Sequence, residues 1–137
     1  MEKREPKIID AARVRPFVVD ETYSSKMLLD DGLAGARTIQ INEGTVAPGC
    51  ALGGAAHGQD EIYYIVSGRG TLRLGEETHP IKPGTVVYIP AGCFHALNNS
   101  DGGEPLVLLT LWREPEENEV YNQRIAAWGT SFQLIDE

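Results

Sequence analysis

Of the three histidines in the chain, His57 is followed four positions later by Glu61, in the stretch HGQDE. Residues of equal parity on an extended segment face the same side, so His57 and Glu61 project together, with Gln59 between them and Tyr63 one step beyond. An imidazole nitrogen and a carboxylate oxygen converging in this way suit a divalent cation. A lone histidine is more often a surface residue or a hydrogen-bonded core residue than a ligand, so the pair alone does not make a site. Two positions before His57 stands Ala55, whose methyl group coordinates nothing. The stretch therefore poses a choice between a metal site with an open position and one that has lost a ligand.

The elements that must position these residues read as short strands. From about residue 14 to 113, runs rich in β-branched and aromatic residues alternate with turn chemistry roughly every eight to twelve residues, the spacing of a sandwich or barrel. The strand candidates are VRPFVV, KMLL, ARTIQI, EIYYIV, GTLRL, TVVYIP, CFHAL and PLVLLTLW. Turns are expected at DDG (30–32), NEG (42–44), PG (48–49), GEE (75–77), KPG (82–84) and DGG (101–103). The tail changes period: acidic residues follow Pro115, Tyr121, Ile125 and Trp128 recur at helical spacing, and Gly129 stands where a helix ends. This predicts one amphipathic helix over about 116–128. The N-terminal segment 8–20 and the final TSFQLIDE read as additional strands, either able to pair across a homodimer.

Around the candidate site the residues fall into two series. The first runs Gly49, five residues, position 55, one residue, His57, three residues, Glu61, six residues, Gly68. The second runs Gly84, five residues, Pro90, one, Gly92, two, His95, three, Asn99. This resembles the cupin family, whose motifs are G-x5-H-x-H-x(3,4)-E-x6-G and G-x5-P-x-G-x2-H-x3-N. The second motif matches at every fixed position, a coincidence on the order of 10⁻⁷ per start position for five residue types of ordinary frequency. The first matches everywhere except at Ala55.

The resemblance covers roughly residues 35–113 and implies an all-β fold, a small jelly-roll barrel with the C-terminal helix appended, the whole chain 1–137 forming one domain. It also implies one divalent metal ion per chain, held by His57, Glu61 and His95. Iron, manganese, nickel and zinc all suit such a donor set. The motif glycines, Pro90 and Asn99 read as structural, through turns and a loop hydrogen bond. His79 matches no motif position and is expected to be exposed, and Cys50 and Cys93 are expected to be small buried hydrophobes.

Ala55 leaves two readings open. In one, two histidines and one carboxylate hold the ion and leave coordination positions for substrate, as catalytic sites do. In the other, the site is weakened and the barrel is a non-catalytic small-molecule-binding or sensing module. Gly53 and Ala55 leave one wall of the mouth with little side-chain volume, and Gln59 and Tyr63 are candidates for orienting a substrate. Two neutral imidazoles and a carboxylate around a divalent ion leave a local charge of about +1, which attracts carboxylate, enolate or alkoxide oxygens. The formal charge of −8 opposes anions, but it is screened over about 8 Å at physiological salt, whereas a chelated oxygen touches the ion. The first reading is therefore a metal-dependent enzyme acting on a small hydroxy- or keto-acid or a sugar-like molecule, by isomerase, lyase or dioxygenase chemistry.

Composition sets the remaining limits. A pI near 4.8 speaks against nucleic acid as a partner, since a phosphate backbone requires a basic surface. No apolar run approaches the roughly 18 residues of a membrane span, and MEKREPKIID has no apolar signal core, so a cytoplasmic location is expected.

Overall fold

The computed structural model describes residues 6–30, 39–113 and 119–136. The expectations placed on Asp31 and Gly32, on the first part of ARTIQI and on the start of the helix lie outside them. The strands are β1 (Phe17–Val18), β2 (Tyr23–Leu29), β3 (Gln40–Val46), β4 (Glu61–Ser67), β5 (Gly70–Leu74), β6 (Glu77–Ile81), β7 (Val86–Ile89), β8 (His95–Asn98) and β9 (Leu106–Trp112). One helix, α1 (Glu119–Trp128), follows them. Strands pair antiparallel in a six-stranded sheet of order β1-β2-β3-β9-β4-β7 and a three-stranded sheet of order β6-β5-β8. Together they make the expected jelly roll. Among the described residues no helix is long and apolar enough to cross a membrane.

The inward-facing residues change character along three central strands, and this divides the interior. On β3 they run Gln40, Asn42, Gly44, Val46; on β9 they run Leu106, Leu108, Thr110, Trp112, each opposite its β3 partner in reverse order. On β4 they run Glu61, Tyr63, Ile65, with Tyr63 opposite Thr110 and Ile65 opposite Leu108. Because β3, β9 and β4 are antiparallel neighbours, their apolar ends meet at one end of the barrel and their more polar ends at the other. The apolar end is a core of Val46, Ile65, Leu72, Ile81, Leu106, Leu108 and their neighbours. The polar end is a cavity.

Several expectations change. NEG is no turn: Asn42 to Gly44 lie inside β3, where a Cβ on Gly44 would come within 2.5 Å of the Tyr23 hydroxyl, so the glycine makes room for that ring. The segment 8–20 holds only a 3₁₀ turn at Ala11–Arg13, capped by Asp10, and the two-residue β1, because Pro16 supplies no N–H. TSFQLIDE contributes a single bridge, Val14 to Leu134, so the two terminal segments meet within one chain. β6 was masked in the sequence by Pro80, which is tolerated because β6 is the outer strand of its sheet. Cys50 and Cys93 are half-buried at the margin of the core rather than within it. In α1 the only fully buried residue is Arg124, while Trp128 packs edge-on against Phe17 with ring centroids 5.3 Å apart.

The structural reading of the motif residues holds in detail. Gly49, Gly68, Gly84 and Gly92 all adopt positive φ, between 76° and 88°. Asn99, 1% exposed, donates through Nδ2 to the carbonyls of Val46 (3.2 Å), Ala47 (3.2 Å) and Glu104 (2.9 Å), tying the end of β3 to the loop before β9. Asn99→Asp keeps the shape but removes the donor. It is expected to lower stability by at least roughly 1–3 kcal/mol, since buried carbonyls lose their partner. Urea unfolding should show a lower midpoint at unchanged slope.

Candidate metal centre

His95 opens β8, Glu61 opens β4, and His57 stands in the loop before β4. What joins them is the turn between β7 and β8. Asp60 accepts the Ala91 N–H at 2.9 Å through Oδ1 and the Tyr88 hydroxyl at 2.8 Å through Oδ2, and the Gly92 N–H donates to the His57 carbonyl at 2.7 Å. Those bonds hold the Asp60 carboxyl below its ordinary range, so it remains an acceptor. One donor atom from each of His57, Glu61 and His95 then lies within 4.8 Å of the others. The His57 and His95 rings are 5.0 Å apart, and His95 Nε2 lies 3.6 Å from Glu61 Oε1.

The donors fit a metal ion in chemistry as well as position. His95 Nδ1 is 3.0 Å from the Cys93 carbonyl, which can only accept, so this nitrogen carries the proton. In the neutral ring Nε2 then offers its lone pair toward Glu61, the tautomer that ligation requires. Without an ion, Glu61 raises the His95 pKa by accepting its hydrogen bond, against the opposing effect of burial. Tyr63, 6% exposed, stands with its ring edge-on to His95 at 5.8 Å. Burial, reinforced by the Glu61 charge, pushes its pKa well above the usual phenol value, so its hydroxyl stays protonated as a donor.

The three residues line a cavity of about 800 Å³, together with Tyr23, Ala55, Tyr63, Thr110, Trp112 and Arg124. Ala55 is the antiparallel bridge partner of His95, its N–H donating to the His95 carbonyl at 3.1 Å and its carbonyl accepting the His95 N–H at 3.0 Å. Directly paired residues share a face, so the Ala55 methyl points to the same side as the His95 ring. Tyr63 belongs to the cavity wall as well as the core. Gln59 is half-buried and not among the lining residues, while His79 is exposed beside Glu77. Asp60, Tyr23 and Arg124 were not singled out in the sequence. Arg124 carried a usable signal, since it lies three after Tyr121 and four before Trp128 on one helix face.

Comparison with known proteins agrees with this picture. Residues 42–112, over half of the chain, match the Cupin domain. An uncharacterized protein of Streptomyces coelicolor is 42% identical over 60 residues, which cover 44% of this chain and 55% of that protein. A glucose-6-phosphate isomerase of Thermococcus gammatolerans is 46% identical over 57 residues, 38% of this chain and 30% of that enzyme. The chain thus spans about half the length of the first relative and under a third of the second. Among solved structures, a predicted oxalate decarboxylase of Thermotoga maritima superposes with a TM-score of 0.71 at 22% identity, covering 80% of this chain and 100% of that one. With both motif spacings, the jelly roll and the family match in agreement, the chain belongs to the cupin family.

Proposed function

We propose that the protein is a metal-dependent cupin enzyme for a small hydroxy- or keto-acid or sugar-like molecule, with one divalent ion held by His57, Glu61 and His95. The observation that carries this reading is the convergence of the three donors on a roomy cavity whose nearest wall, at Ala55, supplies no further ligand. A bound ion would supply Lewis acidity or oxygen activation. The chain supplies the rest. Tyr63 presents a protonated hydroxyl beside Glu61 and can donate to a ligand oxygen; the Cys93 carbonyl fixes the His95 ring; residues 51–55 line the cavity beside them. Similarity to a glucose-6-phosphate isomerase supports isomerase chemistry on a hydroxy-carbonyl compound, and the structural neighbour supports the fold alone. The alternative, a non-catalytic binding cupin with a weakened site, draws on Ala55 in a motif ligand position.

A cytoplasmic, dimeric state completes the proposal. With the terminal segments paired within the chain, the face available to a second copy is the outer surface of β4 and β7, where Ile62, Tyr64, Val86 and Tyr88 are exposed. Sedimentation at micromolar concentration is expected to show a dimer that Tyr64→Lys converts to a monomer.

Elemental analysis after dialysis should find one ion per chain in the parent and in His79→Ala, and loss of most of it in His95→Ala. Equal loss in both variants would refute the ligand assignment. Metal-loaded protein should convert at least one member of a panel of 2-hydroxy acids, 2-oxo acids and sugar phosphates, followed by NMR; saturable binding without turnover would establish the alternative.

The raised His95 pKa fixes the sign of two pH effects. In the metal-free protein, the stabilisation from protonated His95 beside Glu61 is complete below the unfolded value of 6.5 and is lost as pH rises through the higher folded value. Metal binding requires the neutral ring, so affinity should increase with pH over the same interval. Competition titrations and thermal melts between pH 6 and 8 should move in opposite directions.

Ala55→His tests the open position, because its imidazole would arise opposite His95 on the same face. Metal affinity is expected to rise by at least ~10-fold, judged against what outer-shell changes alone achieve. With manganese bound, solvent proton relaxation should fall as the added ligand displaces water. An unchanged relaxation rate would show that position 55 does not border the ion.

A further inference from the structure

The run PLVLLTLW, which becomes β9 after its proline, contains a single polar residue, Thr110. Leu106 and Leu108 precede it on the inward face and belong to the core, whereas Thr110 is half-buried and lines the cavity. Strand register sets it between Asn42 of β3 and Tyr63 of β4. Both neighbours in that row are engaged: Asn42 Oδ1 accepts from Ser25 at 2.5 Å and its side chain meets the Tyr23 hydroxyl, while Tyr63 is directed at Glu61. Thr110 differs from them. Among the described residues its hydroxyl has no hydrogen-bond partner, and it is not sealed from the cavity as the Trp112 indole nitrogen and Arg124 Nε are.

This open hydroxyl is close to the metal donors. Thr110 stands opposite Tyr63, two residues on from Glu61, and is therefore a diagonal neighbour of Glu61 across the β4–β9 pair. Such neighbours are about 7–8 Å apart, within the span of one small ligand. The Tyr63 ring beside Thr110 is itself edge-on to His95, with ring centroids 5.8 Å apart. A hydroxyl both donates and accepts, so it can meet a ligand hydroxyl or a keto oxygen, and it carries no charge that would call for an anion.

We infer that Thr110 hydrogen-bonds a third, uncharged oxygen of the ligand, one or two carbons beyond the chelating pair, which makes the substrate class a 2-hydroxy or 2-oxo acid with a further hydroxyl or keto group at carbon 3 or 4. This rests on the proposed metal centre for the chelating pair. Thr110 is a specificity-determining residue in this reading. A threonine kept only because its branched side chain suits a strand predicts no change in ligand preference on replacement by valine.

The test uses the full chain loaded with Zn²⁺ and compares 2-hydroxybutanoate with 2,3-dihydroxybutanoate and 2,4-dihydroxybutanoate by calorimetry. One of the dihydroxy acids should bind about 2- to 10-fold tighter than 2-hydroxybutanoate, the range of one uncharged hydrogen bond. Thr110→Val should erase that preference while the affinity for 2-hydroxybutanoate and the metal content stay unchanged, and Thr110→Ser should keep it. No preference in the parent would overturn the inference, as would a preference that survives Thr110→Val, since the extra hydroxyl would then be held by the ion.

A second measurement locates the contact. In Zn²⁺-loaded protein labelled with ¹³C at the threonine methyl groups, the preferred dihydroxy acid should shift the Thr110 signal, assigned through Thr110→Val, at the concentrations that saturate the calorimetric signal. The signal of Thr78, exposed on β6, should stay in place. A Thr110 signal that does not move would overturn the inference. The two readings fail separately: ion uptake without the preference removes the Thr110 contact alone, whereas no ion uptake removes the metal centre and the contact with it.

Discussion

Three hydrogen bonds hold the turn after β7 against the start of β4: Ala91 and Tyr88 to the Asp60 carboxylate, and Gly92 to the His57 carbonyl. His57 and Glu61 precede and open β4 of the six-stranded sheet, whereas His95 opens β8 of the three-stranded sheet. The donors can converge only if the two sheets are locked together at this corner. Asp60 serves because its two oxygens accept from different donors at once, one on the turn and one on β7. Gly92 serves because its positive φ of 83° turns the chain into β8.

The same interior is dry at one end and polar at the other, and antiparallel register makes this economical. β3 carries the division in its own sequence, passing from Gln40 and Asn42 to Gly44 and Val46. A polar residue facing inward is costly unless it is hydrogen-bonded, and here Arg124, Ser25 and Asn42 are linked in a chain that leaves Arg124 Nε without a partner. Tyr23 belongs to this set and lies over Gly44, within electrostatic reach of both Arg124 and Glu61. The apolar end supplies the stabilisation that allows the polar end to stay open.

The helix is therefore more than a closing element. Its residues Tyr121, Ile125 and Trp128 are only half-buried, and the residue driven fully inside is a cation. Trp128 against Phe17 fixes the helix over the barrel mouth, and the Arg124 guanidinium beside the same Phe17 ring shows how one aromatic contact sets both the wall and its charge.

Most of the fold was legible in the sequence, because strand period, turn residues and motif spacing are local properties. EIYYIV, GTLRL, TVVYIP and PLVLLTLW each correspond to a strand within a residue or two, and His57, Glu61 and His95 were named from spacing. The failures came where a long-range partner overrides a local signal. NEG reads as a turn until the Tyr23 ring is seen to occupy the space above Gly44; Pro80 reads as a break until β6 is found at the edge of its sheet. The sequence by itself singled out His57, Glu61 and His95 as candidate donors and determined that position 55 adds no ligand. Tertiary structure alone decided that Ala55 faces the same side as His95, that Asp60 clamps the two motifs together, and that Arg124 enters the cavity, because each depends on what segments far apart in the chain bring against it.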